Sequence, residues 1–263
     1  MDFLRMSLKF ITVNFGNTKA TRNLVNSILS SSLKGDFSLA IIDNKSSSKS
    51  KKELLLLKNQ SKIDIDIFIN EKNLYYWPAV KKTISDLRDS TSKFPDWILI
   101  CNNDITINDR HFLKKLEKIN PIKNPIVGPD ITNSKGEHLN PFMDKPLSRL
   151  NHFYWWLYFI SYPTSRILLF LRRLLQFFFP KKKNIEQLSK IVYSVHGSAI
   201  LLSSYFFKFG GWLDDNFELY GEEVSLAEIA KKINVPITYY PNLKIFHNEH
   251  TNTKKINNRL LSK

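Results

Sequence analysis

Short β-branched and aromatic runs alternate with longer polar or helically spaced stretches through the first 130 residues. Residues 8–13 form one such run and close on Asn14, and residues 18–33 carry Leu24, Val25, Ile28 and Leu29 at helical spacing. A second run at 39–42 closes on Asp43, and a helix is expected near 51–59 after a Ser/Lys-rich turn. Ile and Asp alternate across 63–69 as a third strand, and 78–88 reads as a helix with Pro78 in its first turn. A fourth run at 97–100 closes on Cys101, Asn102, Asn103 and Asp104; a helix at 109–119 and a short strand from 125–127 follow. This alternation predicts right-handed βαβ units and a mostly parallel sheet. Ligands bind such sheets beyond the carboxyl ends of the strands. Asn and Asp are common in any βα turn, but three runs that end in them together mark a candidate site.

The character changes over residues 149–183, which hold seven Lys/Arg, eleven aromatics and no acid. Pro163, Arg166, Arg172 and Arg173 interrupt the apolar run before it reaches the ~18–20 residues of a membrane span. On a helical wheel of 164–179, Ser165, Arg166, Arg172, Arg173 and Gln176 share one arc, and Ile167, Leu168, Leu171, Leu174, Leu175 and Phe178 fill the rest. With Lys181, Lys182 and Lys183 following, and Trp155, Trp156 and Tyr158 upstream, the pattern predicts an amphipathic helix in a membrane interface. A helical hairpin packed on the core or in an oligomer interface is the competing reading. Globular patterning resumes after Asn184: apolar structure at 192–203 around Gly197, a helix at 222–233, strands at 236–240 and 244–246, and an Asn/Lys-rich tail.

The 263 residues suffice for a large α/β domain, and 43% hydrophobic content is globular. A single cysteine, Cys101, excludes an internal disulfide framework and suits a reducing compartment. The first ten residues carry Asp2, Arg5 and Lys9 and lack the apolar core of a secretory signal. A net charge of +15 favours an anionic partner, whether nucleic acid, acidic membrane or phosphorylated substrate, although freely used lysine produces the same balance.

Two groups carry candidate chemistry. Asp104 follows a buried strand, where a carboxylate, alone or with Asn102 through water, can hold a divalent metal against a departing diphosphate. Gly210-Gly211-Trp212 leads to the Glu222–Glu223 pair at a helix start, where acids complement the helix dipole or serve as a general base.

Together, Ile11-Thr12-Val13-Asn14, Ile41-Ile42-Asp43-Asn44 with Ser46, Asn70-Glu71-Lys72-Asn73, Asn102-Asn103-Asp104, Gly197 with Ala199, and the stretch from Gly210 to Glu223 resemble family 2 glycosyltransferases, over about residues 7–247. The order is most similar to the rhamnosyltransferase-type branch that builds cell-surface polysaccharides. The resemblance implies an α/β GT-A (Rossmann-like) fold, a mostly parallel sheet flanked by helices, with the amphipathic segment inserted. It divides the chain into a nucleotide-sugar-binding half at 1–148, the insertion at 149–183, an acceptor and catalytic half at 184–250, and a flexible tail at 251–263.

The implied activity is inverting transfer of a sugar, in this branch rhamnose, from a dTDP- or UDP-linked donor to a hydroxyl of a glycan or lipid-linked oligosaccharide. Thr12, Asn14, Asp43 and Asn44 would hold base and ribose, Asn73 and Asn102 would line the donor site, and Asp104 with His247 would bind Mg²⁺ or Mn²⁺. Glu223, preceded by Glu222, falls where the family has its catalytic base, and His250 reads as surface. Asn102 replaces an acid common in the metal motif, Glu223 replaces an Asp, and Ser225 stands where a further Asp is frequent. The expected setting is cytoplasmic, at the inner face of the plasma membrane on an anionic surface, with no nucleic acid partner. Two other classes compete: a catalytically degenerate scaffold with the same fold, suggested by those replacements, and a nucleic-acid-binding protein, suggested by charge and aromatics.

Overall fold

A computed structural model of the chain describes residues 6–31, 36–91, 94–178, 187–217 and 221–248. They fall into two compact units, Met1–Asp144 with Gln187–Lys263, and Lys145–Glu186. In the first unit the order is β1 (Ser7–Asn14), α1 (Thr18–Ser30), β2 (Asp36–Asn44), α2 (Ser48–Gln60), β3 (Asp64–Asn70), α3 (Trp77–Thr91), β4 (Trp97–Asn102), β5 (Ile105–Thr106), α4 (Phe112–Leu116) and β6 (Ile126–Asn133). The second unit holds α5 (Arg149–Ile160) and α6 (Tyr162–Phe178). The first then resumes with β7 (Lys190–Val192), β8 (Ala199–Ser203), α7 (Ser204–Lys208), α8 (Glu222–Lys232) and β9 (Ile237–His247).

One sheet runs β3-β2-β1-β4-β8-β6-β9-β5, with β7 pairing β9. Strands β3, β2, β1 and β4 are mutually parallel, as the alternation of strand and helix predicts. The second half is mixed: β8 runs antiparallel to β4 and β6, whereas β9 is parallel to β6.

Period-two alternation sorts the side chains between two cores. Phe10, Leu39, Ile41, Leu99 and Leu201 face α1, α2 and α4 through Leu24, Ile28, Leu54 and Phe112. Ala40, Ile42, Ile98, Ile100, Ile200 and Leu202 face α3 and α8 through Trp77, Val80, Leu226 and Ala230. With helices on both faces, the central strands read as near-continuous apolar runs.

Several elements depart from the sequence pattern for local reasons. The expected helix at 109–119 is only Phe112–Leu116: Asp109 caps a turn by accepting the His111 N–H and pairing Lys115, and 118–119 close in tight i→i−3 bonds. α1 stops at Ser30, where the Ser31 N–H reaches Ser27 O; Leu33 lies outside the described residues. The two short strands expected at 236–240 and 244–246 are one strand, β9, whose register against β6 jumps between Tyr240 and Lys244, so that 241–243 pass without partners in that ladder. Pro241 cannot donate to a ladder, which explains the break. A strand at Lys190–Val192 and a helix at Ser204–Lys208 flank β8, where the pattern showed only apolar structure.

In the second unit, α5 was not legible as a helix because it is apolar around most of its circumference and lacks 3.6-residue contrast. Ser148 caps it by accepting the Asn151 N–H. α5 and α6 pack on each other. Ser165, placed by the wheel on the polar arc with the arginines, is buried instead, its hydroxyl donating to Tyr162 O.

The core at β8 is stringent, since all of its residues are fully buried. Leu201→Ala is expected to cost about 2–5 kcal/mol through lost contacts and a residual cavity, read as a lower urea midpoint at unchanged slope.

Candidate active site at the carboxyl edge of the parallel strands

Because β2, β1 and β4 are adjacent, their polar termini meet at one edge. A buried hydrogen-bond chain joins them. Asn103 Nδ2 donates to Thr21 Oγ1 (3.1 Å), Thr21 Oγ1 donates to Asn14 Oδ1 (2.9 Å), and Asn14 Nδ2 reaches Asp43 Oδ1 (3.4 Å). Asn14 Nδ2 also lies 3.2 Å from Ser46 Oγ and 3.3 Å from Ser50 Oγ. Asn44 donates to Asn73 Oδ1 and to Tyr75 O, both at 2.7 Å, and its Oδ1 accepts the Leu74 N–H at 2.9 Å. Thr12 is buried opposite Cys101 in the β1–β4 register, and burial pushes that thiol up to about 12. So Thr12, Asn14, Asp43 and Asn44 are interior groups that build the edge, while Asn73 is exposed on its rim. Beyond Asn14, Phe15 stands 59% exposed.

Asp104 lies two residues past the end of the β4 ladder, and the β5–β9 pairing sets Ile105 against His247. That register brings Asp104 Oδ1 to 3.1 Å from His247 Nε2, with both side chains buried. His247 Nδ1 is buried and has no hydrogen-bond partner among the described residues. Asn102 is half-buried and its N–H donates to Ser198 O.

This last bond shows what the antiparallel β8 achieves. Its amino end, preceded by His196, Gly197 and Ser198, lies beside the carboxyl end of β4. The Gly197 N–H donates to Glu223 Oε1 at 3.0 Å, and a Cβ at Gly197 would stand 2.9 Å from that oxygen and 3.1 Å from Glu222 Cγ. A Cβ there would have to push the Glu223 carboxylate off the backbone N–H that it accepts. α8 begins at Glu222 after Gly221, whose φ is +103°, which favours glycine. Burial, and then the neighbouring Glu223, push Glu222 up to about 7 despite its place in the first turn of a helix.

Four side chains not singled out by sequence join this region. Tyr76 Oη donates to Gly197 O at 3.3 Å, and its hydroxyl is held well above its ordinary value by burial, then by Cys101, Glu222, Glu223 and Asp104. His196 stacks edge-on to His247 with ring centroids 6.0 Å apart, and its Nδ1 accepts the Ser198 N–H, which leaves the neutral ring's proton on Nε2. Asn140 fixes the same loop by accepting the His196 N–H at 2.7 Å and donating to Pro129 O. Phe142 packs edge-on against His196. The aromatic run at 74–78 was the available signal for Tyr76; nothing in the spacing marks His196, Asn140 or Phe142, which only the sheet topology brings in.

The fold is that of GT-A glycosyltransferases. Over 92% of the chain the structure is similar to S. aureus TarS 1-349, at 11% identity and a TM-score of 0.58, covering 60% of that chain. Over 97% it is similar to GalNAc-T7 solved with UDP, GalNAc and Mn²⁺, at 13% identity and a TM-score of 0.60, covering 45% of that chain. Over 95% it is similar to the mannosyltransferase PcManGT from Pyrobaculum calidifontis solved with GDP-Man and Mn²⁺, at 10% identity and a TM-score of 0.58, covering 59% of that chain. The chain thus spans roughly half the length of these proteins, and at such identities the likeness is one of fold. No family model matches the chain, and no curated protein matches it in sequence.

The raised pKa of Glu222 has a stability signature. The folded state holds a proton between the ordinary 4.5 and about 7, so the stability that this group contributes is full below 4.5 and is lost as pH rises through 7. Glu222→Gln is expected to match the parent near pH 4.5 and exceed it by roughly 1–3 kcal/mol above pH 7, in denaturant titrations at both pH values. Equal stability of the two proteins at pH 8 would contradict the burial argument.

Proposed function

We propose that the protein is an inverting glycosyltransferase that moves a sugar from a nucleotide-diphosphate donor to a hydroxyl of a growing cell-surface glycan or lipid-linked oligosaccharide. The observation that carries this reading is the meeting of two carboxylate centres at one sheet edge. One is the Glu222–Glu223 pair at Gly197, in which Glu222 is pushed up to about 7, and the other is Asp104 with His247. The GT-A fold shared with proteins solved with UDP, UDP-GlcNAc or GDP-Man supports a nucleotide-sugar donor. The sequence resemblance points to dTDP or UDP as the carrier and to rhamnose as the sugar.

In this reading the nucleotide lies over the β1–β2 edge that Thr12, Asn14, Asp43 and Asn44 shape, with Asn73 and Asn102 along its rim. Glu223 accepts the proton of the acceptor hydroxyl. Glu222 stands alongside it and, pushed up to about 7 by burial and then by Glu223, is the carboxyl of the pair that holds a proton near neutrality. The acceptor oxygen forms a bond to the anomeric carbon as the bond to the diphosphate oxygen breaks. The electron pair departs with the phosphate, and approach from the opposite face inverts the configuration. The Asp104 carboxylate fits a divalent cation in donor type, Mg²⁺ or Mn²⁺, and His247, whose Nε2 faces it at 3.1 Å, would supply a nitrogen once that contact is given up to the ion. No group of three His, Cys, Asp or Glu converges among the described residues, so the diphosphate would complete the coordination. Such an ion supplies neutralisation of the diphosphate's charge. The site of action we place at the cytoplasmic face of the plasma membrane, where lipid-linked acceptors are presented.

Thermal stabilisation by UDP, dTDP and GDP, each with and without Mn²⁺, tests the donor class: one nucleotide is expected to raise Tm, with a further rise when metal is present. Asp104→Asn should remove the metal-dependent part. Folded protein that no nucleotide stabilises would sink the transferase reading and favour a non-catalytic scaffold. With donor and acceptor in hand, Glu223→Gln should lower kcat by roughly 10²-fold or more, and the parent's rate should rise as the neighbouring Glu222 loses its proton near pH 7. A rate flat from pH 5 to 9 would exclude a part for the Glu222 ionisation in the transfer.

A further inference from the structure

The helical unit of α5 and α6 presents a surface whose chemistry is specific. The less exposed positions, Tyr154, Leu157 and Tyr158 on α5 and Ser165, Leu168 and Leu169 on α6, recur at i, i+3 and i+4, and the two helices pack on each other. Outside them stand large apolar side chains: Leu150 is 81% exposed, Phe159 77%, and Trp156, Phe170 and Phe178 are exposed as well. No residue of α5 is buried. Isolated exposed apolar residues are ordinary, but a helical unit that leaves this many open has an unmet partner.

Charge identifies the partner. Arg149, Arg166, Arg172 and Arg173 are exposed on the same two helices, and no Asp or Glu occurs from 145 to 178. A second copy docking here would set arginines against arginines with no acid on either helix to neutralise them. A surface of anionic lipid headgroups instead neutralises them while its acyl boundary takes up the rings and leucines, and Trp and Tyr favour that depth. No helix among the described residues is long and apolar enough to cross a membrane, so the unit would lie in the plane of the interface. We propose that α5 and α6 form an interfacial anchor that binds bilayers rich in anionic lipid. This extends the membrane placement given above, but its test is independent of transferase activity.

The full chain is mixed with vesicles of phosphatidylcholine alone and with vesicles in which about a third of the lipid is phosphatidylglycerol, then sedimented. Binding is expected to the anionic vesicles, weaker at high salt, with a blue shift of tryptophan emission as Trp156 leaves water. Arg172→Glu with Arg173→Glu should lower the partition coefficient about tenfold or more. Trp156→Ser with Phe159→Ser should lower it while leaving its salt dependence. Both double variants should keep the parent's Tm and nucleotide response, which separates loss of the anchor from misfolding and from failure of the transferase reading. Equal binding to neutral vesicles would overturn the charge argument. No vesicle binding by a chain that is a stable dimer, or a salt-sensitive shift of single-stranded nucleic acid lost in the arginine variant, would assign the face to another occupant and overturn the proposal.

Discussion

The site depends on the direction of one strand. β8 is buried on both faces between β4 and β6 and runs antiparallel to β4. Its amino end therefore lies beside the carboxyl end of β4, and the loop carrying His196, Gly197 and Ser198 meets Asn102, Asn103 and Asp104 at one edge. A parallel β8 would send that loop to the opposite edge, and the carboxylates of α8, held through the Gly197 N–H, would go with it.

That edge concentrates polar groups that water scarcely reaches, and the protein satisfies most of them mutually. Asn14 has bonded partners for both its amide nitrogen and its oxygen, and Asn44 bridges the end of β2 to the 73–75 turn. Buried polar networks of this kind rigidify when complete and are costly when they are not. Three features resist that tendency: the Thr12 Oγ1 and His247 Nδ1, buried without a hydrogen-bond partner among the described residues, and the Glu222 carboxyl, which burial and a like-charged neighbour hold partly protonated near neutrality. Perturbed and unsatisfied groups that cluster at one edge are what a site for an anionic, hydroxyl-bearing ligand requires.

The helical unit follows the reverse logic. Its packing consumes only one stripe of each helix, and the remainder is left apolar, aromatic and cationic. Composition alone announces this, because a run with eleven aromatics and no acid cannot be an ordinary solvated surface.

Much of the parallel half was legible in the chain, since each of its strands is a short apolar run and each of its helices either repeats apolar positions or starts at a cap. The polar residues closing β1, β2 and β4 were legible for the same reason, and so was Asp104. The resemblance of ordered motifs pointed to Glu222, Glu223 and His247. Spacing could not reveal that Ser165 faces inward, that two predicted strands are one β9 carried past Pro241, or that α5 is a helix, because each is settled by a neighbour rather than by periodicity. Nor could it place His196, Tyr76 and Asn140 beside the carboxylates. Periodicity records which face of an element is dry; the pairing of β8 with β4, a contact between segments some hundred residues apart, decides which side chains share that edge, and only the folded sheet contains it.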